Sequence, residues 1–124
     1  MDTLTNHVPF FHLLLITHKQ QKQALLKSAS KSQIKALCEI LLNIVTRTLA
    51  LTPAEEKYVK QQQRKIKTIL KKKTTTKKKQ DLFSKNLKLV DILLTSVLNQ
   101  MKNEHPEDSA EIYSDPDGEI QKNE

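Results

Sequence analysis

Glycine occurs once in this 124-residue sequence, at position 118, and tryptophan is absent. Strands joined by tight hairpins lean on glycine for their turns, so the composition argues against an all-β fold. A glycine-rich phosphate loop is impossible with one glycine. The single cysteine, Cys38, excludes an intrachain disulfide and agrees with a reducing compartment. It lies in an apolar run and reads as a small core residue. The early apolar run Phe10–Ile16 is far shorter than the roughly 20 residues a membrane span needs. No lysine or arginine precedes it and no small-residue cleavage site follows it, as a signal peptide requires. A soluble chain with no transmembrane segment is expected.

The constellations that carry catalysis are missing too. His7, His12, His18 and His105 have no metal-ligand spacing: His12 and His18 are six apart, off any shared helical face. They read as surface histidines. Cys38 has no evident base partner, and the tail carboxylates lack the fixed geometry that acid–base chemistry requires. The chain is therefore expected to be non-enzymatic, with no cofactor and no metal.

What is present is leucine, lysine, glutamine and alanine, all good helix formers. The expected fold is all-α, a small bundle of about four helices. Helix one begins at Pro9 and ends near Ser28. Phe10, Phe11, Leu14, Leu15, Leu25 and Leu26 form its apolar side, and Thr17–Gln23 is polar. Helix two follows a capping box at Ser30 and Gln33. It buries Ile34, Leu37, Cys38, Leu41, Val45 and Leu49, with Leu42 and Ile44 broadening the stripe, and it is the expected central helix. Helix three opens at Thr52-Pro53, with Glu55 as capping partner. Its apolar stripe is thin: Tyr58, Val59, Ile66, Ile69 and Leu70. A break is expected among Thr74–Thr76, which are read as neither helix interior nor cap. Helix four runs from about Asp81 to Met101 and buries Leu82, Phe83, Leu87, Val90, Leu94, Val97, Leu98 and Met101, with Leu93 beside them.

Acidic residues are scarce where basic ones crowd. Residues 1–102 hold 20 basic and 6 acidic side chains, a net charge of +14, and form the expected basic helical domain. Residues 103–124 hold 1 basic and 8 acidic side chains, a net charge of −7. That segment reads as an acidic disordered tail that cannot bury enough apolar surface to offset its ordering entropy. A −7 tail can fold over a +14 body and compete with its partner. Phosphorylation of Ser109 or Ser114 would strengthen that shield.

Between Lys57 and Lys88 there are 13 basic residues and 1 acidic residue. Exposed lysine-rich helices are common, but charges this dense repel one another along a helix. A polyanion would relieve that repulsion through contacts and counterion release. Only two of the twenty basic residues in the body are arginine, the usual reader of guanine. Aromatics are nearly absent from the basic stretch, so single-stranded bases would find no stacking platform. Both absences favour sequence-independent binding to a duplex backbone. The expected nucleic-acid-binding residues are Lys60, Arg64, Lys65, Lys67, Lys71, Lys72, Lys73, Lys77, Lys78 and Lys79. The same run can serve as a nuclear import signal.

The segment Ser32–Phe83 resembles a small lysine-rich open reading frame of Maverick/Polinton-type elements and adintoviruses. The likeness rests on Leu37, Glu39, Ile40 and Asn43, then Leu49, Leu51 and Thr52, then the basic run to Lys79. It covers about half of the chain. It departs where the family often has glycine, at the TRTLAL and SKNLKL stretches. The resemblance implies a virion-associated or element-encoded basic protein that helps package DNA; with the import-signal reading of the lysines, the expected location is nuclear or virion-associated. The rival reading is a helical interaction module or homo-oligomeric scaffold, docking through the apolar faces of helices one and four. An anionic membrane is a weaker partner, because helix three has too thin an apolar face to insert.

Overall fold

The computed structural model describes residues 2–46 and 49–104. Their regular secondary structure is entirely helical, with no strand among them. The chain order is α1 (Asp2–Thr5), α2 (Val8–Ile16), α3 (Lys19–Lys27), α4 (Lys31–Val45), α5 (Pro53–Gln61), α6 (Gln63–Leu70), α7 (Thr76–Lys85) and α8 (Leu87–Glu104). The all-α expectation holds, and the count of about four does not. Three of the four expected helices are interrupted, and α1 is an additional short turn that buries Leu4. The tail expected over 103–124 lies outside the described residues from 105 onward, while α8 runs through Glu104.

Each interruption has its own hydrogen bonding. Helix one breaks at Thr17 and His18, both extended, with ψ of 154° and 161°. The Thr17 hydroxyl donates to the Leu14 carbonyl at 3.2 Å and so takes up one of the orphaned carbonyls at the end of α2. Between α5 and α6 the break is slight. The Gln62 N–H bonds the carbonyls of Tyr58 and Val59, and the Gln62 carbonyl accepts from Ile66 N–H at 3.0 Å. The hydrogen-bond ladder therefore passes through Gln62, and α5–α6 act as one irregular helix. Asn86 divides helix four. Its backbone leaves helical geometry at φ −128°, ψ 59°. Its amide donates to the Leu82 carbonyl at 2.7 Å, and its own carbonyl accepts from Val90 N–H at 3.2 Å. One residue thus ends α7 and starts α8.

Helix α8 carries the centre of the core. Leu89, Val90, Ile92, Leu93, Leu94 and Val97 are all buried. At 100° per residue they span about 200° of its circumference. The buried residues of α4, from Ile34 to Ile44, span about 160°. This corrects the expectation that helix two is central. Val45 and Leu42, expected inside, are 41% and 48% exposed, whereas Ile40, outside the expected stripe, is fully buried. Packing α8 against α2, α3, α4 and α7 removes its apolar side chains from water. The large exposed apolar side chains are Leu13 and Ile16 on α2 and Leu42 and Val45 on α4. Among the described residues, the expected fourth helix exposes no large apolar side chain.

Helix α7 is clamped on several sides, against α3, α4, α6 and α8. Two side chains tie it to α3 and the turn that follows. Gln80 donates to the Ala29 carbonyl at 2.7 Å, and Gln23 donates to the Ser84 carbonyl at 3.3 Å. Lys22 of α3, buried to 7% exposure, forms an ion pair with Asp91 of α8 at 2.7 Å. A buried ammonium without that carboxylate would be strongly destabilising, so the pair also fixes how α3 meets α8.

Candidate nucleic-acid interface

The basic surface is built along α5–α6, through the turn at residues 71–75, and into the first turn of α7. Ile66 and Ile69 anchor α6 to the core. That leaves Lys60, Arg64 and Lys67 exposed, with Lys71 following the same spacing of four, three and four. Side chains so spaced share one helical face. The resulting stripe is therefore cationic along its length.

The three threonines each do something different, which corrects their reading as non-capping residues. Thr74 is half-buried, and its hydroxyl donates to the Thr68 carbonyl at 2.6 Å, closing the end of α6. Thr75 is the N-cap of α7; its hydroxyl accepts from Lys78 N–H at 3.1 Å. Thr76 is the first helical residue. Helix α7 consequently begins five residues before Asp81, where the fourth helix was expected to start. The sequence KKKTTTKKK is a folded connector with a lysine triplet on each side. Replacing Thr75 by alanine removes this cap and is expected to lower stability by about 1 kcal/mol. Urea unfolding of the variant checks it, and an unchanged midpoint would mean the cap is redundant.

The two triplets stand at helix ends of opposite polarity. Lys71–Lys73 follow the last carbonyls of α6, the negative end, where cations are favourable. Lys77–Lys79 occupy the first turn of α7, the positive end, where cations are unfavourable, and that turn holds no acidic residue. Helix α5 shows the usual arrangement. Glu55 and Glu56 occupy its first turn, and Thr52 and Glu55 complete a capping box at 3.2 and 2.9 Å. The N-terminus of α7 is thus the inverse of that of α5.

Not every expected residue faces outward. Lys60, Arg64, Lys65, Lys67, Lys71, Lys72, Lys73, Lys77 and Lys78 are exposed. Lys79 is half-buried, near enough to Cys38 for its charge to oppose the effect of burial on that thiol. Burial is the larger effect and pushes the Cys38 thiol above its ordinary value. Lys65 spends a donor on Asn86 Oδ1 at 3.0 Å, helping to hold the α7–α8 corner. Lys85 pairs with Asp81 at 3.1 Å, four residues earlier on the same helix. Lys88, which sequence reasoning did not single out, lies over the Tyr58 ring at 4.7 Å from its centroid. Nothing in the local sequence signals that cation–π contact, because it joins α5 to α8.

Among the described residues, no carboxylate lies within ion-pair distance of Lys60, Arg64, Lys67, Lys71, Lys72, Lys73, Lys77 or Lys78. Nor do three or more His, Cys, Asp or Glu side chains gather there into a group able to hold a metal ion. No helix among them is long and apolar enough to cross a membrane. No protein-family model matches the chain, and no curated protein or solved structure matches it.

Proposed function

We propose that this protein binds duplex DNA without reading its sequence, through the lysine face of α5–α6, the turn at 71–75 and the first turn of α7. The observation that carries the reading is the start of α7. Three lysines crowd the positive end of that helix with no acid in the turn. Each such charge costs about 0.3–1 kcal/mol against the helix dipole. A phosphate placed there offsets the cost and meets N–H groups left free at a helix start. The adjoining Lys71–Lys73 and the Lys60–Arg64–Lys67 stripe extend the same surface along a backbone. Lysine point charges suit phosphate, and the scarcity of arginine leaves few groups for base recognition.

The element-encoded resemblance would make the bound DNA that of the element, with packaging as the purpose and the nucleus or a virion as the location. A homo-oligomeric or adaptor role is supported by the exposed Leu13 and Ile16 on α2, within the expected helix one, and by the exposed Leu42 and Val45 on α4.

Salt-titrated binding to duplex DNA, RNA and anionic vesicles tests the reading. The expected result is tight duplex binding at low salt, falling steeply as salt rises. A surface neutralising about six phosphates gives a log–log slope near −5, at about −0.9 per phosphate. Binding that ignores salt, or a stable oligomer indifferent to DNA, would reject it. Stronger binding to vesicles than to duplex would move the partner to a membrane surface.

A further inference from the structure

A groove of about 360 Å³ opens between the end of α4, the chain at 49–51 and the start of α5–α6. Ile44, Leu49, Leu51, Val59 and Ile66 supply its apolar wall, and Lys60 stands on its rim. Val45, 41% exposed, completes its apolar opening among the described residues.

We propose that the acidic C-terminal segment of the same chain occupies this groove, with Ile112 and Tyr113 as its anchor. Three observations select that occupant. The first is charge: residues 105–124 hold seven acidic residues and one lysine, and Ile112–Tyr113 is flanked by Glu111 and Asp115. Lys57, Lys60 and Arg64 are exposed on the helices beside the groove, with no carboxylate within ion-pair distance among the described residues. Glu56 also lines the groove, so the acidic flanks belong on the Lys60–Arg64 side. The second is reach. Ile112 lies eight positions beyond Glu104, a reach of about 27 Å when extended. Helix α8 has 18 residues and is about 27 Å long, so the segment can run back along its full length. The third is selectivity. A second shallow apolar groove, lined by Leu13, Thr17, Gln21, Ala24, Leu25 and Ser28, has no cation in its wall. A second copy of the body is a poorer occupant, since two +14 surfaces repel.

Tethering makes a weak contact sufficient. A tether of this length gives an effective concentration in the millimolar range, so a groove affinity of about 0.1 mM leaves the segment mostly docked. The docked acids then shield Lys60 and Arg64, which belong to the DNA face. That consequence rests on the proposed DNA binding; the docking itself does not.

The test uses the full chain, with methyl-labelled Ile, Leu and Val, and compares it with the double variant Ile112→Ser, Tyr113→Ser. Without DNA, the expected result is movement of the Val59, Ile66 and Leu49 methyl resonances and stillness of those of Leu13 and Leu25. Resonances that stay in place, or movement that depends on protein concentration and so reports a second copy, would overturn the docking. With duplex DNA at low salt, the variant should bind about three- to tenfold more tightly. Methyl movement with equal DNA affinity would uphold the docking and overturn its competition with DNA. Methyl movement with no DNA binding by either protein would uphold the docking and remove the DNA reading itself.

Discussion

Replacing Lys71, Lys72, Lys73, Lys77, Lys78 and Lys79 together by glutamine should abolish most duplex binding and leave the protein more stable. The two effects have one cause. Five of these six ammonium groups are exposed, and no carboxylate reaches those five among the described residues. Each one that contacts phosphate contributes about 0.9 to the salt slope, so its magnitude should fall by about four to five. Affinity at low salt should fall by about a hundredfold or more. In the free protein the same charges work against the fold. Removing Lys77–Lys79 takes cations off the positive end of α7, where each costs about 0.3–1 kcal/mol. Removing Lys71 also ends its like-charge repulsion with Lys67, worth about 0.2–0.5 kcal/mol. Losing Lys71–Lys73 gives part of this back, because they suit the C-terminal end of α6. A net gain of about 1 kcal/mol corresponds to a melting temperature about 5 °C higher. Thermal unfolding and salt-titrated binding on the same sample measure both. A matched variant, Lys19→Gln with Lys27→Gln and Lys31→Gln, removes exposed charge from α3 and the start of α4 and should change the slope little. Unchanged binding by the six-lysine variant would place the interface elsewhere. Loss of stability together with binding would make the lysines structural.

This prediction depends on helix polarity, which was only half legible in the sequence. The density of lysine between 57 and 88 can be counted directly. Its placement at two helix ends of opposite sign cannot be, because it requires α7 to start at Thr76. The capping boxes were legible because the signal and the structure are both local. Ser30 with Gln33 and Thr52 with Glu55 form reciprocal bonds three residues apart. Thr75 caps α7 without a reciprocal partner, so that motif was absent. Asn86 was illegible for another reason. Its corner is held by Lys65, 21 residues away, and by Leu82. Lys22 lay in a stretch read only as polar, because its carboxylate partner is 69 residues distant. Leu89 and Ile92 were missed because periodicity identifies one stripe, whereas α8 meets neighbours around more than half of its circumference. Local chemistry was thus readable, and the contacts between distant segments that bend and clamp the helices were not.

Phe83→Ala is expected to do the reverse of the lysine variant: unsettle the fold while keeping the charge. Phe83 is fully buried on α7, about one turn beyond Lys79. Its truncation deletes a large apolar side chain and leaves a cavity, at a cost of about 3–5 kcal/mol. A domain of about 100 residues has some 5–15 kcal/mol in all. The melting temperature should therefore fall by at least about 12 °C. All thirteen basic side chains between 57 and 88 remain in the variant. Binding that depends on summed charge should survive at low salt with less than about a tenfold loss, and with nearly the same salt slope. Duplex DNA at a hundred times its dissociation constant should then restore about 2.7 kcal/mol, if it binds the folded form alone. Melting the variant with and without DNA measures that recovery directly. A shift near this size would show that DNA recognises the α6–α7 corner as folded, with Phe83 holding it in place. Equal binding with no thermal shift would show that DNA holds the lysines equally well on an unfolded chain, and the polarity of the helix ends would then contribute nothing to recognition.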